Sequence, residues 1–108
     1  MRAGELRHRI IIEQNTPTRD AFGAEVPGWA ALDTVWAAIN PRWAMERFLS
    51  GAGQTVAQRS TVFVIRYRGG LDTKMRVTWD GKTYNLRQIL ETNSRRRELA
   101  LLGEEINP

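Results

Sequence analysis

Apolar and polar positions alternate with a period of two along most of the chain, the mark of strands that bury one face. Leu6, His8, Ile10 and Ile12 alternate with Arg7, Arg9, Ile11 and Glu13. Residues 15–28 include Pro17, Gly23, Pro27 and Gly28 and are otherwise largely polar. Proline and glycine at these intervals interrupt a ladder, so the stretch predicts a loop. Apolar character returns from Trp29 to Ile39, with Leu32, Val35, Trp36 and Ile39 as expected core residues. Its second half reads as a strand ending at Asn40-Pro41.

The period then breaks. Pro41 suits the opening of a helix, and Trp43, Arg47 and Phe48 follow at helical spacing until Gly51-Ala52-Gly53 interrupts them. Gln54 to Ser60 is polar and unpatterned. Strands resume with Val62 and Val64 on one face and Phe63, Ile65 and Tyr67 on the other, a central strand with apolar atoms on both sides. Met75, Val77 and Trp79 alternate with Arg76 and Thr78, and Asp80-Gly81 then predicts a two-residue hairpin turn. Tyr84 and Leu86 continue the return strand. The shift of face between Leu86 and Ile89-Leu90 predicts a bulge. Asn93-Ser94 turns the chain into a last strand, Glu98 to Leu102. Six short strands in one domain spanning 1–108 predict a mainly β fold: a small six-stranded antiparallel β-barrel, since closure removes exposed edges. A short helix and long loop, residues 42–59, are inserted between the second and third strands. Trp36, Val77, Trp79 and Leu86 are assigned to the interior.

Composition narrows the chemistry. With 108 residues the chain is one domain, and its 42% apolar and 26% charged residues are ordinary for a globular protein. It has no cysteine and one histidine, His8, which excludes disulfides, thiolate sites and paired-imidazole sites. His8 reads as a strand residue, and no motif links it to a serine or aspartate. Gly51-Ala52-Gly53 and Gly69-Gly70 lack the strand-before, helix-after setting of a phosphate loop. No metal site or cofactor is expected, and catalysis has no constellation to rest on. No apolar run is long enough for a membrane span, and Met1 to Glu13 lacks a signal-peptide core. The chain is thus expected to be made in a cytoplasm.

Charge is uneven. Of the 16 basic residues 14 are arginine, and the excess falls within residues 58–97; the last eleven residues are acidic through Glu98, Glu104 and Glu105. A basic block attracts a nucleic-acid polymer, but arginines on outward strand faces also serve as solvated surface or subunit contacts. Arg66, Arg68, Arg95 and Arg96 form the candidate basic surface. Arg42, Trp43, Arg47, Phe48, Gly51, Gly53 and Arg59 form a candidate surface for a partner chain. The large apolar groups of the helix either pack across one end of the barrel or meet a partner chain, since arginine and aromatic residues are enriched in interface cores.

The order of segments resembles the phage head-tail joining proteins, the small stopper or head-completion family of tailed phages. The resemblance is carried by Met1-Arg2-Ala3-Gly4-Glu5-Leu6-Arg7-His8-Arg9-Ile10, by Trp36-Ala37-Ala38-Ile39-Asn40-Pro41 and by Val64-Ile65-Arg66-Tyr67. The hairpin from Met75 to Leu86 and the terminal Arg97-Glu98-Leu99-Ala100-Leu101 complete it, over residues 4–102. It implies a virion protein forming a homo-oligomeric ring between a portal or adaptor ring and tail proteins. Packaged double-stranded DNA would pass through its channel without sequence readout. It also implies that residues 42–59 close the channel or pack on a neighbouring subunit. Two glycines and the polar Gln54 to Ser60 predict that the segment is mobile in the free subunit, with Trp43 and Phe48 gaining partners only on assembly. The resemblance extends to gene-transfer particles and prophages. The reading from another class is a small nucleic-acid-binding barrel, which would need its arginines on one groove with exposed aromatics.

Overall fold

A computed structural model describes residues 6–26, 28–50, 60–91 and 97–106. Strands β1 (His8–Asn15), β4 (Trp29–Ile39), β5 (Ser60–Arg66), β6 (Arg76–Trp79), β7 (Lys82–Glu91) and β8 (Glu98–Glu105) form one antiparallel sheet. Its order, β1-β4-β5-β8-β7-β6, closes into a barrel because β1 pairs with β4 on one side and with β6 on the other. Helix α1 (Arg42–Ser50) lies between β4 and β5. The 15–28 stretch is not only loop. It carries a second, two-stranded ribbon, β2 (Thr18–Arg19) and β3 (Glu25–Val26). Two residues per strand leave no alternation to read, so the ribbon is invisible to periodicity.

The interior is one row from each strand. Ile10 and Ile12 of β1, Phe63 and Ile65 of β5, Val77 of β6, Leu86 of β7 and Leu101 of β8 are all buried together with Ala37. Phe63 meets Tyr84 edge-on at 5.2 Å and Trp79 at 6.0 Å, the T-shaped arrangement that the ring quadrupoles favour. Gly103 belongs to this row. A Cβ there would stand 3.0 Å from the Tyr84 Cβ and 3.1 Å from the Phe63 ring, so glycine lets the two aromatics fill the space.

A second apolar cluster lies on the outside of the wall. Val62, Val64, Ala100 and Leu102 point away from the interior and are covered, with Ala44 and Phe48 of α1 packed among them. The helix therefore lies along the barrel wall, not across its end. Asn40 sets its entry: at φ 50° its amide donates to the Val62 carbonyl, and its Oδ1 accepts from the Val62 amide, both at 2.7 Å. Asparagine tolerates this left-handed conformation better than most residues.

The hairpin and bulge appear where the pattern places them. Asp80 and Gly81 both have positive φ, as a primed turn requires, and the β7–β8 register shifts between Leu86 and Gln88. Three further expectations need correction. The strand expected in the second half of 29–39 runs its whole length. Trp36, assigned to the interior, is 52% exposed, because Val35 and Ala37 take the inward positions and alternation turns Trp36 out. Tyr67 lies one residue beyond β5, leaves the row of Phe63 and Ile65 and is 44% exposed.

Candidate recognition surface

Strands β4 and β5 meet only at Ala38–Val64 and Ile39–Phe63. From Trp29 to Ala37, β4 is hydrogen-bonded to β1 and has no partner among the described residues on its other edge. There the two strands splay and leave a cleft of about 680 Å³. Asp33, Thr34, Val35 and Trp36 form one wall, Arg66, Tyr67 and Arg68 the other, and Leu6 also lines it. The Arg68 Nε donates to Asp33 Oδ2 at 2.8 Å and ties the walls together.

Both exposed rings carry a guanidinium. Arg9 sits 5.3 Å from the Trp36 ring centre and Arg97 3.8 Å from that of Tyr67, contacts in which the cation meets the negative face of the ring. Arg97 is held in turn by hydrogen bonds to Glu91, which raise its pKa above the ordinary arginine value. The result is an aromatic–arginine surface beside a sheet edge that is unpaired among the described residues. Its groups can bind a chain or an acidic side chain; they offer no nucleophile paired with a base. His8 packs edge-on against Trp79 at 5.7 Å. Among the described residues no cluster of His, Asp and Glu could hold a metal ion, and no helix is long and apolar enough to cross a membrane.

The residues singled out from sequence fall in two places. Arg66 and Arg68 line the cleft. Arg42, Trp43, Arg47 and Phe48 are on α1, where Arg42 faces Glu46 at 3.8 Å and Trp43 is 38% exposed. Phe48 is 2% exposed within its own chain, so it is core and not a surface waiting for a neighbour. Gly51, Gly53, Arg59, Arg95 and Arg96 lie outside the described residues, as does most of the inserted loop. The pattern missed Trp36 as a surface residue, and it missed Phe22, 95% exposed at the tip of the β2–β3 ribbon. A signal for that ribbon was present: Asp20 and Gly23 occupy the first and fourth positions favoured in a type I turn.

No curated protein matches the chain. Among solved structures, it is similar to protein SF1141 from Shigella flexneri 2a, with 32% identity, a TM-score of 0.73, and 97% of this chain and 96% of that one covered. It also shares its fold with a chain of the virion of a native gene transfer agent particle, at 18% identity and a TM-score of 0.61, over 94% of this chain and 96% of that one. The model of the phage head completion protein family matches residues 1–106, essentially the whole barrel. The chain belongs to the phage head completion protein family, a family of structural virion proteins and not of enzymes.

Proposed function

We propose that this virion protein works at the head–tail interface as an oligomeric ring that joins the portal or its adaptor to the tail. It helps retain packaged double-stranded DNA until ejection. The family match over residues 1–106 carries the reading. The arrangement of charge supports it over the nucleic-acid-binding barrel. Much of the basic excess of residues 58–97 is spent inside the molecule. Arg68 pairs with Asp33, Arg76 with Glu13, Lys82 with Glu105, Arg87 with Glu104 and Arg97 with Glu91. Within the ring, residues 42–59 would face the channel or the neighbouring subunit, with Arg42, Trp43, Arg47 and Arg59 as its polar and aromatic contacts.

The test is deletion in a strain that produces the particles. DNA-filled heads without tails, prone to losing their genome, are the expected product, and the chain supplied in trans should restore joining. Tailed, DNA-retaining particles from the deletion would overturn the assignment.

A further inference from the structure

The β2–β3 ribbon is built to hold one exposed ring in place. Asp20 Oδ1 accepts from the amides of Phe22 and Ala24, each at 2.9 Å. The Asp20 amide donates to the Ala24 carbonyl at 3.0 Å and the Gly23 amide to the Asp20 carbonyl at 3.1 Å. Arg19 Nη1 adds a bond to the Gly23 carbonyl at 3.0 Å, and Gly23 supplies the positive φ that closes the turn. All this order serves a tip whose one large side chain, Phe22, is 95% exposed. The tip carries the acids Asp20 and Glu25, with Arg19 opposite Glu25 in the ribbon and its guanidinium on the Gly23 carbonyl.

The cleft between β4 and β5 has the complementary character. Trp36, Tyr67 and Leu6 give it apolar surface, and Arg66 lines it while Arg9 lies over Trp36. Its volume, about 680 Å³, accommodates an aromatic side chain with adjoining backbone. A chain cannot fill its own cleft with its own tip. The ribbon leaves the barrel at the Asn15–Trp29 end of the β1–β4 pair, where the Thr16 amide donates to the Gly28 carbonyl. Trp36 lies seven residues along β4 in the opposite direction, roughly 23 Å away at about 3.3 Å per residue.

We propose that the ribbon tip of one copy docks in the β4–β5 cleft of the next, with Phe22 between Trp36 and Tyr67 and the acids Asp20 and Glu25 facing Arg66 and Arg9. The proposal rests on the ring reading and deepens it. Tip and cleft are different surfaces of one chain, so the contact is head-to-tail, the kind that closes into a ring when the rotation allows. An aromatic anchor entering a pocket is the usual form of a binding hot spot. A tip already ordered by its own hydrogen bonds loses little entropy on docking.

The chain has no cysteine, so paired cysteines report the contact directly. Ala21→Cys with Thr34→Cys keeps Phe22 and places one thiol beside it and one on the cleft wall. Particles carrying the double variant, treated with an oxidant or a short bismaleimide, should give a ladder of covalent multimers, and each single variant should give essentially none. Phe22→Ala should melt with the parent but lower tail joining in complementation at least tenfold. Joined particles that hold several copies of the chain yet give no ladder would overturn the tip–cleft contact and leave the ring standing. A count of one copy per particle would overturn the ring reading itself.

Discussion

Gly103 shows how much one missing methyl decides. A Cβ at 103 would stand 3.0 Å from the Tyr84 Cβ and 3.1 Å from the Phe63 ring, so Gly103→Ala should cost about 1–3 kcal/mol by overpacking. Phe63→Ala opens a cavity at a fully buried position and should cost about 3–5 kcal/mol. Trp36→Ala removes the larger side chain but from the surface, and should change stability by about 1 kcal/mol or less. Thermal unfolding of the three variants checks the order. A collapse of Trp36→Ala to the level of Phe63→Ala would place that ring in the core after all. Size misleads here: tryptophan at 36 attracts a core assignment, but parity is set by which neighbours point inward, and Val35 and Ala37 do.

Among the elements, the hairpin β6–β7 and the two-faced strand β5 were legible because each carries a local signal, a turn dipeptide in one and two apolar rows in the other. Helix α1 was legible as a helix, but its docking was not. Helical spacing puts Trp43 and Phe48 on the same element without saying which meets the wall. The structure separates them. Phe48 joins Val62, Val64, Ala100 and Leu102, whereas Trp43 remains partly exposed. Phe48→Ala should therefore lower the stability of the isolated chain by about 3 kcal/mol or more, and Trp43→Ala by about 1 kcal/mol or less. Chemical denaturation of the two single variants reads the difference. Equal, small effects would mean that Phe48 is not held by the wall.

At the scale of the molecule, two features come only from closure. The first is the seam, where β4 outruns its pairing with β5 and leaves an edge with no partner among the described residues beside an aromatic–arginine cleft. The second is charge. The basic stretch finds its carboxylates far away in sequence, as in Arg76 with Glu13 at 2.7 Å, where Thr78 also donates to the same oxygen at 3.0 Å. Because the described core closes within one chain, the purified protein should be a folded monomer or weak oligomer, with the proposed ring contacts forming only on an adjoining ring. Sedimentation across a concentration series tests this, and a tight dodecamer without partners would contradict it.

The sequence by itself determined the strands with clear alternation, the Asp80-Gly81 turn, the bulge in β7, the helix after Pro41 and, through the order of its segments, the family. These are local patterns, and short-range sterics and one-sided burial express them directly. Tertiary structure alone decided which of two apolar rows became the interior, that α1 lies on the wall, that Trp36 and Tyr67 share a cleft with Arg66 and Arg68, and which carboxylates meet the arginines. Each of these depends on the register between strands distant in sequence, and register is fixed by packing the whole barrel rather than by any one of its segments.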